Sequence, residues 1–139
     1  MARIMALDIG GKRTGIAVTD PLQIIASGLT TIEASQLIPF LKEYLKQEAV
    51  ERFVVGWPTN WDDSPTHGTA LAQKAIAALQ KNFPAIPVNK IDERYTSKMA
   101  KDAMLEMGLK KKDRRDKKLV DEIAATILLQ DYLRSVTGL

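Results

Sequence analysis

The sequence predicts an α/β domain built on a mixed five-stranded sheet in the order 3-2-1-4-5, with helices on both faces. Three observations lead there. The N-terminal part carries three strand-like runs joined by short turns, and the remainder alternates strand and helix periodicity. The right-handed crossover rule then sets strand four beside strand one and strand five beyond it. A chain of 139 residues, 45% hydrophobic and 27% charged, suits a single domain spanning residues 1–139.

The elements follow in order. Arg3 to Ile9 is a nearly continuous apolar run, as expected for a buried central strand. Gly10 and Gly11 break it, and Thr14 to Asp20 alternates as a second strand. Asp20-Pro21 marks a turn, and Ile24 to Ile32 forms a third strand. Ser35 is placed to cap a helix carrying Leu37, Leu41, Tyr44 and Leu45, with Pro39 in its tolerant first turn. Arg52 to Gly56 is a buried strand, and a polar loop runs from Pro58 to His67. Ala72, Ala75, Ile76 and Leu79 mark a second helix, and Pro87 to Ile91 a fifth strand. Thr96 caps a third helix that presents Met99, Met104 and Met107 inward and ends at Gly108. A last helix runs from Leu119 to Val136, with Val120, Ile123, Ala124, Ile127 and Leu128 as its apolar stripe.

Composition excludes several chemistries. The absence of cysteine removes disulfides, thiolate metal sites and thiol nucleophiles. A lone histidine, His67, removes His-rich metal sites and reads as a polar residue at a helix start. No apolar run approaches a membrane span, and Asp8 interrupts the N-terminus before a signal-peptide core forms, so the expected compartment is the cytoplasm. The net charge of +3 is modest, but its distribution is uneven. Lys110–Lys118 (KKKDRRDKK) holds seven of the 20 basic residues and two of the 17 acidic ones, which leaves 13 against 15 elsewhere. Such a local cluster suits either a polyanionic partner or a solvated loop.

Three carboxylate positions do not fit a plain core. Asp8 shares one strand face with Ile4 and Ala6, and a carboxylate near a sheet centre needs a cation, such as Lys12 or Arg13 in the following turn. Asp92-Glu93-Arg94 follows strand five at the carboxyl edge, where α/β sheets place ligands. Alternation puts Asp92 and Glu93 on opposite faces, so one of the two joins Asp8. Asp121 lies near the start of the last helix, where it either favours the helix dipole or joins the same cluster. Three convergent carboxylates form an oxygen-only site suited to Mg²⁺ or Mn²⁺. Two such ions, about 3.5–4 Å apart, clamp both oxygens of a phosphodiester displacement. The glycine turn Asp8-Ile9-Gly10-Gly11-Lys12-Arg13-Thr14-Gly15 serves either plain hairpin chemistry or close approach to a phosphate backbone. Trp57 and Trp61 are read as base-stacking residues or, for Trp57, as a lid over the core.

ALDIGGKRTGIAVTD at 6–20, VVGWP at 54–58, DERYTS at 92–97 and KKLVDEIAATILLQDYL at 117–133 resemble the YqgF family of small RuvC-like bacterial proteins. The resemblance runs almost end to end. It implies an RNase H-like fold and a nuclease of structured nucleic acid, with the 5′ end of pre-16S rRNA as substrate and the ribosome as a partner. It selects Glu93 over Asp92, so that Asp8, Glu93 and Asp121 hold two Mg²⁺ or Mn²⁺ ions, with Lys118 offsetting transition-state charge. Lys12, Arg13, Arg94, Lys111, Lys112, Arg114 and Arg115 are the expected nucleic-acid contacts. Family members often carry Leu or Met where this chain has Trp57, followed by a glycine where it reads TNWDDSP. Three other readings compete: a Holliday junction resolvase, which requires a dimer where the rRNA nuclease works as a monomer or homodimer; a non-catalytic RNA-binding assembly factor; and a kinase-like or actin-like nucleotide-binding domain.

Overall fold

The computed structural model describes residues 2–59, 62, 64–92 and 116–137. Strands β1 (Arg3–Ile9), β2 (Arg13–Thr19), β3 (Ala26–Glu33), β4 (Val50–Trp57) and β5 (Val88–Asp92) form one sheet in the order β3-β2-β1-β4-β5. β1, β2 and β3 pair antiparallel, whereas β4 lies parallel to β1, and β5 parallel to β4. This is the expected topology, with β1 at the centre. The carboxyl ends of the three parallel strands meet at one edge, which Asp8, Trp57 and Asp92 mark.

Helices α1 (Leu37–Gln47) and α2 (His67–Asn82) cover one face. Met5, Leu7, Ile16, Val18, Phe53 and Val55 point from the sheet into this layer and meet Leu37, Leu41, Ile76 and Leu79. The alternate residues Ile4, Ala6, Ala17 and Val54 face the other way, against Ala125, Leu128, Leu129 and Leu133 of helix α3 (Lys117–Thr137). Period two therefore divides β1 between two cores. The small residues Ala6, Ala17 and Ala125 let α3 lie close to the sheet. Among the described residues no helix is long and apolar enough to cross a membrane.

Several boundaries differ from expectation. Ser35 does not cap α1, because residues Ala34–Gln36 form a 3₁₀ turn before it and the α1 N-cap makes no side-chain hydrogen bond. α2 does begin with a side-chain cap. Thr66 accepts from the Thr69 backbone N–H, and the Thr69 side chain accepts from the Thr66 N–H in return. His67 is the exposed first residue of that helix, as expected. α3 starts two residues before the expected Leu119. Asp116 caps it by accepting from the backbone N–H groups of Lys118 at 3.0 Å and Leu119 at 3.4 Å. The sheet-facing stripe of α3 is also rotated from the expected one, since Val120, Ile123, Ala124 and Ile127 form a separate cluster. A helix apolar on most sides gives a periodicity that does not single out one face. The expected helix from Thr96 to Met107 lies outside the described residues.

Candidate active site

The glycine turn is a tight hairpin. Gly10 donates its backbone N–H to the Arg13 carbonyl at 2.9 Å, which leaves Gly11 and Lys12 at the tip. A β-carbon on Gly10 would stand 2.7 Å from that carbonyl oxygen, so the turn requires glycine there. Lys12 is exposed, and its carbonyl accepts from the Ala34 N–H at 2.9 Å, which ties the tip to the start of the 3₁₀ turn.

Asp8 is half-buried and continues the face of Ile4 and Ala6, so its side chain belongs to the α3 side of the sheet. Its antiparallel partner in β2 is Gly15. Gly15 is a strand residue and not part of the turn. With no side chain to fill the space beside Asp8, the α3 backbone descends onto it. A β-carbon there would lie 2.1 Å from the Asp121 carbonyl oxygen and 2.5 Å from its carbon. Gly28 of β3 provides a second seat, where a β-carbon would lie 2.5 Å from Glu122 Oε1. Thr31 adds an anchor by donating its hydroxyl to the Lys118 carbonyl at 2.6 Å. These contacts bring Asp121 onto the face that carries Asp8.

Arg13 lies on the same face, two residues from Gly15 along β2. Its Nε donates to Asp121 Oδ2 at 3.0 Å, and both side chains keep just over a quarter of their surface exposed. Arg13, one of the two cations expected to pair with Asp8, is here the partner of Asp121. Asp121 is in the second turn of α3, and no acidic residue occupies the first. Stabilisation of the helix dipole, which falls off within the first turn, therefore does not account for it.

Asp92 does not join this group. Val88 packs on the α1–α2 side and Ile91 on the α3 side, so alternation turns Asp92 away from Asp8. Lys90 shares the face of Asp92, with its Nζ 3.9 Å from the centroid of the Trp57 ring. Trp57 packs against the α1–α2 core, in agreement with its reading as a lid. Glu93, Arg94, Trp61, Lys111, Lys112, Arg114 and Arg115 lie outside the described residues. Lys118 is exposed at the start of α3. It borders a cleft of about 500 Å³ with Gly11, Lys12, Arg13, Thr31 and Glu33. Three of the expected basic residues thus line one concavity beside Asp121.

The donor set suits a divalent cation. Asp8 and Asp121 offer only carboxylate oxygens, the hard donors that Mg²⁺ and Mn²⁺ prefer. The glycine seat at Gly15 allows these two carboxylates to approach from strand and helix. Among the described residues no group of three acidic or histidine ligands forms, and the third expected carboxylate, Glu93, lies outside them. The residues present fit such an ion.

Comparison with known proteins agrees with this architecture. A family model described as "RuvX: Holliday junction resolvase" matches residues 2–135. A protein of Christiangramia forsetii named "Putative pre-16S rRNA nuclease" is 56% identical over 133 residues, which cover 96% of this chain and 98% of that one. A Bacteroides fragilis protein of the same name is 50% identical over 135 residues, covering 97% and 98%. Among solved structures, Thermus thermophilus RuvC in complex with a Holliday junction substrate superposes with a TM-score of 0.58 at 18% identity, over 99% of this chain and 97% of that one. A propionate kinase from Francisella tularensis reaches 0.51 at 14% identity, over 70% of this chain and 38% of the kinase. These structural likenesses establish the fold, which is RNase H-like. Matched over residues 2–135 and sharing half or more of its residues with full-length relatives, the chain belongs to the RuvX family, the group that its YqgF-like motifs had indicated.

Proposed function

We propose that this protein is a metal-dependent endonuclease that hydrolyses phosphodiester bonds of structured RNA, and that its substrate is the 5′ end of pre-16S rRNA. The observation that carries this reading is the seating of the α3 backbone on Gly15, which brings Asp121 to the face of Asp8. The names of the relatives and the RuvX family match support the same activity. Asp8, Asp121 and Glu93 would hold Mg²⁺ or Mn²⁺. Bound there, the ions supply Lewis-acid charge against the negative charge that develops on the phosphoryl oxygens.

The chain's own residues do the rest. Asp8 and Asp121 are pre-positioned by rigid elements, so little reorganisation is needed at the reacting centre. Lys118, in the first turn of α3, sets an ammonium group at the edge of the cleft, where it offsets transition-state charge. Lys12 at the hairpin tip and Arg13 behind it face the same cleft and hold the nucleic-acid backbone. Arg94, Lys111, Lys112, Arg114 and Arg115 extend this contact, because the chain's positive excess is concentrated just before α3. The reaction takes place in the cytoplasm, with the pre-ribosome as the partner that presents the RNA.

The test is cleavage of a pre-16S leader fragment with Mg²⁺ or Mn²⁺ by the wild type and by Asp8→Asn. Loss of cleavage in a folded Asp8→Asn variant supports the reading, and equal activity in the two proteins overturns it. One observation favours a second substrate. The family description names Holliday junctions, and the fold matches a junction-bound RuvC. Symmetric cleavage of a four-way DNA junction by a dimer, with no RNA cleavage, would transfer the assignment.

A further inference from the structure

Arg13 has two acidic neighbours within reach. Glu33 is its directly opposed partner in the β2–β3 register, where facing β-carbons lie about 4.5–5.5 Å apart. Asp121 is 108 residues away in sequence, yet it is the carboxylate that the guanidinium grips. Arg13 therefore sits at a branch point. On one side is Asp121, on the face of Asp8. On the other is the basic cleft bordered by Lys12, Glu33 and Lys118.

We propose that Arg13 is an exchangeable counter-ion of the metal site. In the metal-free protein it neutralises Asp121. A divalent ion displaces it into the cleft, where its planar fork is available to a backbone phosphate. This inference rests on the metal-site reading above. The physical reason is competition for the charge of one carboxylate. Oδ2 accepts the Arg13 N–H, and a Mg²⁺ ion coordinated by the same carboxylate at about 2.0–2.1 Å draws that charge to itself and repels the guanidinium. The displaced guanidinium then matches a phosphate better than an ammonium does, because its donors are paired in one plane. Metal and polyanion binding thereby become positively linked, each promoting the other by the same factor.

The experiment is a Mn²⁺ titration of the full chain, followed by the electron paramagnetic resonance signal of free Mn²⁺. It compares wild type with Arg13→Gln, Lys12→Gln and Asp8→Asn. Removal of a partly exposed competing ion pair predicts Mn²⁺ binding about fivefold tighter in Arg13→Gln. Lys12→Gln removes the same charge from the hairpin tip and is expected to change affinity less than twofold. In wild type, saturating Mg²⁺ is expected to shift the Arg13 Nε–H resonance away from its carboxylate-bonded position, a readout that needs no variant to fold. If wild type binds Mn²⁺ but Arg13→Gln binds it no tighter, or Lys12→Gln matches Arg13→Gln, the exchange is overturned and the metal site stands. If wild type binds no more Mn²⁺ than Asp8→Asn, the metal-site reading itself fails, and the exchange with it.

Discussion

A β-carbon placed on Gly15 would lie 2.1 Å from the backbone oxygen of Asp121. No side chain can give way at such a contact, because both partners are backbone. The strand that pairs with Asp8 and the helix that carries Asp121 are thus fitted together at the one position where the side chain has been removed. The geometry of the candidate site is set by packing as much as by the acidic residues themselves.

Gly15→Ala should push the start of α3 off the sheet. Overpacking of this kind costs about 1–3 kcal/mol, so a clear drop in the denaturation midpoint is expected. Cleavage should fall further than stability, since a shift of roughly 1 Å in a positioned group costs on the order of a hundredfold in rate. Gly28→Ala is the comparison. Its added β-carbon meets the Glu122 side chain, which can rotate, so the cost should stay below about 1 kcal/mol and activity should be retained. Equal effects from the two substitutions would contradict the seating argument.

Asp116→Ala tests the cap of α3. Loss of hydrogen bonds to the Lys118 and Leu119 N–H groups should cost about 1 kcal/mol. For a domain of this size that lowers Tm by roughly 3–5 °C. Amide exchange should rise first in residues 118–120, because the fraying begins where the cap is removed. An unchanged exchange rate there, together with an unchanged Tm, would show that the cap contributes nothing.

Much of this was legible in the sequence, for physical reasons. The strand order followed from apolar runs and the handedness of crossovers, and Asp8 stood out as the lone carboxylate in a buried strand. The Arg13–Asp121 pair was not legible, since nothing local connects residues 108 positions apart. The start of α3 was misplaced because the charged run KKKDRRDKK reads as a loop up to Lys118, whereas the cap, Asp116, lies within it. Gly15 and Gly28 looked like ordinary turn and strand glycines. Their role depends on a helix that arrives from the far end of the chain.

Asp20 provides a pH test away from the candidate site. Its carboxylate accepts from the backbone N–H groups of Ile25 at 2.7 Å, Ile24 at 2.8 Å and Leu22 at 3.2 Å. These bonds, that from Ile25 foremost, hold it below the ordinary value of 3.8. A lowered carboxylate stabilises the folded loop fully above its unfolded value, and that contribution is lost as pH falls through the folded value. The Ile24 and Ile25 amide resonances should therefore titrate with a midpoint below 3.8, and Asp20→Asn should abolish the titration. A midpoint at or above 3.8 would contradict the hydrogen-bond account.

The uneven charge of the chain yields the last prediction. Outside Lys110–Lys118 the acidic residues outnumber the basic ones, so polyanion binding should depend on that segment and on the cleft beside Arg13. Replacing Lys111, Lys112, Arg114 and Arg115 together with glutamine removes four positive charges. Each lost phosphate contact lowers the slope of log K against log salt by about 0.7–0.9, so the full set should lower it by up to about 3. Lys12→Gln with Lys118→Gln, at the cleft, should lower it by up to about 2 by the same rule. Binding of a pre-16S fragment measured from low to moderate salt separates the two contributions. If the fourfold variant keeps the wild-type slope, the segment is a solvated loop, and the cleft carries the electrostatic contact alone.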